Sequence, residues 1–456
     1  MISTSTVAAI STAQAAGGLG VIRISGPDAL NIANSIFVPV SGASLTASKG
    51  YRAHFGKVIS GNTTVDEAVC LVFRAPHSYT GEDTAEITCH GGLYVTRAVL
   101  RAALDAGALP AGPGEFTKRA FLNGKMDLAG SEAVMALISA KGQQAATAAL
   151  NTLDGRLSKE IRDTADKIIA VSAALAAWVD YPYDEIEDTD SSTLLAVFRE
   201  SAERLRNLLA RYDKGRVFTE GADTVIVGRP NVGKSTLMNL LSGCDRSIVT
   251  DIAGTTRDIV EENVRLGELI LRIADTAGIH QTDNAVESIG VSLARKRMER
   301  AQLVLAVFDG SEPLTEDDYA ILEDCKGKLV LGVLNKSDLP QKADAEAIAA
   351  HVNSVVTLSA ANGEGEKELE QAVTALLSAD GFDPDNPCLA GERQRQCCQR
   401  ALRHLEDGIA ALESGMTLDA VTVCADCAVE ALLELTGERA TEAVVNEVFS
   451  RFCVGK

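Results

Sequence analysis

The sequence predicts a multidomain chain that joins α/β and all-α parts. The expected architecture is an N-terminal α+β domain, a discontinuous helical domain, and an α/β domain inserted between its two pieces. Three observations predict it. Residues 1–118 mix short β-like runs with one clear helix. Residues 126–180 and 191–215 are rich in Ala, Leu, Glu and Arg at helical spacing, and that texture returns after 380. Residues 222–378 alternate strand-like and helical segments, the pattern of a parallel sheet flanked by helices. The boundaries fall at 1–118, 119–215, 216–379 and 380–456.

Taken in order, "GVIRIS" (20–25), "AVCLVFR" (68–74) and "TAEITCH" (84–90) read as strands. "GLYVTRAVLRAALDAG" (92–107) reads as a helix ended by Gly107. The acidic stretch "DYPYDEIEDTDSS" (180–192) reads as a loop, and "DGFDPDNPCLAG" (380–391) as a Pro/Asp/Gly linker. In "TEAVVNEVFSRF" (441–452), Val444, Val445, Val448, Phe449 and Phe452 share a helical face.

Bulk properties narrow the function classes. For 456 residues, about 150 per domain gives about three domains. There is no apolar run long enough to span a bilayer and no basic n-region of a signal peptide, so a cytoplasmic protein without membrane attachment is expected. The net charge of −20 excludes a surface that grips nucleic acid everywhere; RNA contact needs a local patch or a partner. Ten scattered cysteines read as reduced thiols. Cys424 and Cys427 form a lone C-x-x-C on a helix whose apolar positions are Leu418, Val421, Ala428 and Leu432, which reads as structure rather than a zinc site.

The chemistry is concentrated in "TVIVGRPNVGKSTLMNLLSG" (224–243): an apolar strand, then G-x-x-x-x-G-K-S, then a helix. Gly228 and Gly233 let the loop turn its amides onto phosphate oxygens. Lys234 reaches the β/γ-phosphates and the Ser235 hydroxyl ligates Mg²⁺. The contacts are expected from Asn231, Val232 and Gly233 through Lys234, Ser235 and Thr236. "LILRIADTAG" (269–278) ends a strand in Asp275, Thr276, Ala277 and Gly278, with Asp275 near Mg²⁺ and the Gly278 N–H following the γ-phosphate. "LVLGVLNKSD" (329–338) supplies Asn335 for one base edge, Lys336 over the ring, and Asp338 as acceptor for guanine N1 and N2. Ser359, Ala360 and Ala361 follow as the loop that closes on guanine O6. A carboxylate that requires two donors rejects adenine. Segment 222–378 therefore resembles the translation-factor class of P-loop GTPases, with a Ras-like fold.

"VTDIAGTTRDIV" (249–260) is the switch segment, holding Thr250, Asp251, Ile252, Ala253, Gly254, Thr255 and Thr256, with Thr256 expected on Mg²⁺. Ile279 stands where small regulatory GTPases carry a water-orienting glutamine, so hydrolysis needs other groups. Arg257 is either an arginine finger or a surface ion-pair partner.

Together "GGLGVIRISGP" (17–27), "SYTGEDTAEITCHGG" (78–92), "GPGEFTKRAFLNGKMDL" (112–128), "GRPNVGKS", "GTTRD" (254–258) and "FCVGK" (452–456) resemble the MnmE (TrmE) family of tRNA modification GTPases over the whole chain. The resemblance implies an N-terminal folate-binding and dimerisation domain and a helical domain with an inserted G domain. It implies a homodimer that works with the flavoprotein MnmG as a heterotetramer, FAD entering only through that partner. It also implies addition of an aminomethyl or carboxymethylaminomethyl group to C5 of the wobble uridine of certain tRNAs, with 5-formyl- or methylene-tetrahydrofolate as one-carbon donor. Hydrolysis of GTP with Mg²⁺ is expected to be stimulated by K⁺ and by dimerisation of the G domains.

By the same resemblance, Asn231, Thr250, Ile252 and Thr255 hold K⁺, and Glu287 positions the water network. Arg23, Glu86, Lys125 and Lys456 would hold folate, while Cys453, in a tail reaching the partner subunit's pocket, would join the chemistry. Without the resemblance, Arg23 and Lys125 read as surface charge, Glu287 as a solvated helix residue and Cys453 as a packing plug. The rival class is a ribosome-assembly switch similar to Era or Der, without modification chemistry. Against it stand the single P-loop and the folate-like N-terminal block.

Overall fold

The computed structural model describes residues 5–180, 191–243, 261–267, 269–274, 301–378 and 382–456. They divide into two compact units. The first gathers Met1–Met135, Thr152–Leu205 and Ala390–Lys456, and the second Ala136–Asn151 and Arg206–Leu389.

In the first unit, seven strands form one sheet: β1 Val7–Ile10, β2 Leu19–Ser25, β3 Phe37–Pro39, β4 Arg52–Ser60, β5 Thr63–Phe73, β6 Thr84–His90 and β7 Leu109–Pro110. Their order is β3-β4-β5-β6-β2-β1-β7, antiparallel except for the parallel pair β1–β7. Helices Ala29–Ile36 and Leu93–Asp105 cover one face. There Ile22, Ile24, Cys70, Val72 and Ile87 meet Leu30, Ala33, Val99 and Ala103. Alternation along each strand sends the next residues, Arg23 and Glu86 among them, to the opposite face. β4 went unpredicted, and β5 begins five residues before the expected 68. The cause is a hairpin turn at Gly61–Asn62, where Gly61 takes φ +57 and joins Ser60 to Thr63.

The helical part of this unit packs Leu418–Thr436 on Glu392–Glu413 and on Arg156–Asp180. Val421, Ala425, Ala428 and Leu432 are its buried stripe, and the thiols of Cys424 and Cys427 flank it half-buried. The helix stops at Gly437, φ +93, and Arg393 caps its last carbonyls, donating to Glu434 O and Leu435 O. The Arg393 guanidinium also forks onto Glu132 at 2.7 and 2.8 Å.

The second unit holds a six-stranded sheet of order β13-β12-β11-β8-β10-β9. Its strands are β8 Ala222–Val227, β9 Glu261–Leu266, β10 Leu269–Ala274, β11 Leu303–Asp309, β12 Val330–Asn335 and β13 Ser354–Thr357. All neighbours run parallel except β9–β10. β11 and β12 are buried at every position, as strands covered on both faces must be. Helix Ser191–Thr219 continues past 215, where the change in sequence texture had placed a boundary.

Candidate functional site

The phosphate-type loop leaves the carboxyl end of β8 and enters helix Lys234–Gly243. Gly228 and Gly233 take φ +155 and +100, and neither has room for a side chain. A Cβ on Gly228 would strike the Val307 carbonyl, and one on Gly233 would strike Asn335 Nδ2. Lys234 Nζ donates to the carbonyls of Gly228 at 2.7 Å and Arg229 at 2.6 Å, so the ammonium lies along the loop's own rim. Burial pushes its pKa below the ordinary lysine value. Asn231, Ser235 and Thr236 are exposed around the loop, and Val232 is buried beneath it.

The far side of the cleft comes from the ends of β11 and β12. Lys336, at φ +66, pairs with the Asp309 carboxylate. Burial raises the Asp309 pKa, but Lys336 and Ser311 outweigh it and hold the group below its ordinary value. Ser359 Oγ donates to Asp338 Oδ1 at 2.6 Å. Asp338 Oδ2 has no partner among the described residues, which suits a carboxylate awaiting N–H donors. Asn335, expected at one edge of the base, also has a bracing role. It is 3% exposed, its Nδ2 donates to Val232 O at 2.9 Å and its Oδ1 accepts from Ala360 N at 3.0 Å. The amide braces the phosphate loop to the Ser359–Ala360 turn, with Ala361 exposed beyond it. These residues fit a guanine nucleotide: an amide-rimmed loop, an ammonium on its rim, a serine hydroxyl able to ligate Mg²⁺ and a braced carboxylate for the base.

Thr250, Asp251, Ile252, Ala253, Gly254, Thr255, Thr256, Arg257, Asp275, Thr276, Ala277, Gly278, Ile279 and Glu287 lie outside the described residues.

A second constellation lies on the outer face of the first unit's sheet. Arg23 on β2 is directly opposite Glu86 on β6, and its Nε meets Glu86 Oε1 at 2.8 Å. The guanidinium sits 5.2 Å from the Tyr79 ring centre and 5.3 Å from that of Phe116. Cation–π contact thus steadies a partly desolvated pair. Tyr79 OH shares a 2.9 Å hydrogen bond with Thr117 Oγ1. Lys125 is exposed and donates to Pro76 O at 3.1 Å, in the segment leading to Tyr79, rather than to the Arg23–Glu86 pair.

Segment 452–456 meets this corner within its own chain, whereas the sequence reading placed it in the partner subunit's pocket. Phe116 N donates to Lys456 O at 3.1 Å and Gly114 N to Cys453 O at 3.3 Å. The Cys453 thiol is exposed, so it is no packing plug. By contrast, burial pushes Cys70 and Cys388 up to about 12, which keeps those thiols protonated and inert.

Sequence reasoning missed Tyr79, Phe116, Asp309 and Arg119. Arg119 is 2% exposed; it pairs with Glu82 at 3.1 Å and Glu115 at 3.1 Å and donates to Ser5 O at 2.7 Å. Glu82 also accepts from Ser25 Oγ at 2.8 Å, so this network holds the turn that carries Tyr79. The signal was present in "SYTGED" and "GPGEFTKR", where Arg119, Glu82 and Glu115 stand among turn residues.

The family model described as MnmE helical domain matches residues 128–453, and that of GTP-binding protein TrmE N-terminus matches residues 6–125. The tRNA modification GTPase MnmE of Thermoanaerobacter pseudethanolicus is 39% identical over 456 residues, spanning 99% of each chain. That of Bacillus subtilis is 39% identical over 457 residues, spanning 99% of this chain and 100% of its own. Among solved structures, Era in complex with MgGDPNP and nucleotides 1506–1542 of 16S ribosomal RNA is 29% identical over 33% of this chain and 55% of that one. The TM-score is 0.25.

Proposed function

The chain belongs to the MnmE family of tRNA modification GTPases, and on that premise we propose that it works with the flavoprotein MnmG as a K⁺-stimulated GTPase that modifies C5 of the wobble uridine in certain tRNAs. The group added is aminomethyl or carboxymethylaminomethyl, the one-carbon unit comes from a tetrahydrofolate, and the working form is a cytoplasmic homodimer. What supports this reading above all is the Arg23–Glu86 pair between Tyr79 and Phe116, a second polar corner apart from the nucleotide loop.

Each residue's task follows from its chemistry. The loop amides and Lys234 hold and neutralise the β/γ-phosphates, and Ser235 would ligate Mg²⁺ with Thr256. Asp338, oriented by Ser359, accepts the two guanine donors, and Asn335 keeps base loop and phosphate loop in register. K⁺, held by Asn231 with Thr250, Ile252 and Thr255, would supply the positive charge that an arginine finger supplies elsewhere. Glu287 would orient the attacking water that Ile279 cannot. At the second corner the folate supplies the one-carbon unit. Glu86, oriented by Arg23, would take the paired N–H groups of a pterin edge, and Lys125 and Lys456 suit the carboxylates of its tail.

The test is equilibrium binding of labelled 5-formyltetrahydrofolate. The reading expects saturable binding by the wild type that Glu86→Ala abolishes while GTP binding stays normal. A wild-type chain that binds GTP but no folate contradicts it and favours an Era-like or Der-like switch.

A further inference from the structure

Helix Glu115–Leu122 starts without a side-chain cap. The first N–H groups of any helix lack partners inside it. Here two of them, on Gly114 and Phe116, are satisfied by the carbonyls of Cys453 and Lys456. The segment 452–456 is therefore the cap of this helix, supplied from more than three hundred residues along the chain. The fit is close on both sides. Gly114 takes φ +62, and a Cβ there would lie 2.9 Å from Phe452 Cβ and 3.0 Å from Phe449 O. Val454 pairs with Pro113 in an isolated bridge, and Gly455, φ +99, packs against the Ile10 carbonyl where no Cβ fits. Phe449 and Phe452 anchor the approach among Leu128, Val445 and Val448.

Phe116 belongs to both structures. Its N–H holds Lys456 O, and its ring lies against the Arg23 guanidinium. We propose that Gly114 and Phe116 are positioning residues of the modification site: they seat segment 453–456 beside the Arg23–Glu86 pair, so that binding at that pair and docking of the segment stabilise each other. The proposal rests on the reading of that pair as the folate corner. The coupling is reciprocal, because a ligand that favours the docked segment must itself be favoured by it.

Amide hydrogen exchange with mass spectrometry reads the seat, and titration with 5-formyltetrahydrofolate reads the site. Gly114→Ala places a methyl where Phe452 lies and an L-residue in the left-handed region. It is expected to speed exchange in peptides covering 112–118 and 452–456 and to weaken folate binding about tenfold. GTP hydrolysis stays at the wild-type rate. Phe116→Leu keeps the N–H but loses the ring, so exchange stays near wild type while folate binding weakens; Phe116→Tyr restores the binding. Wild-type exchange in Gly114→Ala overturns the seat. Faster exchange with wild-type folate affinity overturns the positioning role. A wild-type chain that binds no folate overturns the folate reading and the positioning role with it, whereas the exchange result still decides the seat by itself.

Discussion

The side-chain amide of Asn335 donates to the Val232 carbonyl at 2.9 Å while its oxygen accepts the Ala360 N–H at 3.0 Å. One buried side chain therefore fastens the phosphate loop, the end of β12 and the base loop to one another. The strand sequence "NKSD" gives no hint of this, since both partners are main-chain groups far along the chain.

Asn335→Ala leaves a buried carbonyl and a buried N–H unpaired. At about 1–3 kcal/mol for each such group, the second unit loses about 2–6 kcal/mol and GTP binding weakens with it. Urea unfolding and nucleotide titration measure the two effects. Unchanged stability would show that water or a shifted loop satisfies both groups.

Asp309 is held below its ordinary pKa against the opposing effect of burial, by Lys336 and Ser311. A carboxylate with a depressed folded pKa contributes stability that is complete above 3.8 and is lost as pH falls through the folded value. Asp309→Asn removes that contribution. The variant is expected to be less stable than wild type at about pH 6, with the difference shrinking as pH drops below about 3.8. Urea midpoints across that range check it, and a constant difference would contradict the assignment.

Arg119 and Glu82 form a pair with 2% and 10% side-chain exposure. Arg119→Met strands Glu82 beneath the turn carrying Tyr79 and is expected to cost about 3–5 kcal/mol, whereas Arg119→Met with Glu82→Leu costs clearly less. Denaturant unfolding of the three proteins gives the comparison. A double variant as unstable as the single one would mean that packing, not the stranded charge, sets the cost.

Ile279 and Asn231 motivate a test of the cation. GTP hydrolysis is expected to be much faster in K⁺ than in Na⁺ at matched ionic strength, and Asn231→Ala is expected to lose most of that stimulation. Equal rates in the two salts would remove K⁺ from the mechanism.

Much of the architecture was legible because it is locally encoded. β8, the loop through Gly233 and the helix from Lys234 announce themselves by an apolar run, two glycines and a lysine, and β12 by the apolar run that leads into Asn335. β4 was not legible, because Phe55 and Ala53 are exposed and its alternation is weak. The chemical corner was legible only in part. Arg23 and Glu86 are paired by strand register, but Tyr79 and Phe116 reach them from a turn and a helix start. Such contacts depend on tertiary placement, which no periodicity records. The role of Gly114 was hidden for the same reason, since its neighbour Phe452 lies at the other end of the sequence.

The most direct measurement is nucleoside mass spectrometry of tRNA from cells lacking this protein and from the same cells supplied with wild type or Cys453→Ser. The account predicts that C5-modified wobble uridine is absent without the protein and returns with wild type. It also predicts that the nucleoside stays absent with Cys453→Ser, although that variant hydrolyses GTP normally. Unaltered wobble uridine modification in the cells lacking the protein would contradict the account, and full restoration by Cys453→Ser would remove Cys453 from the chemistry.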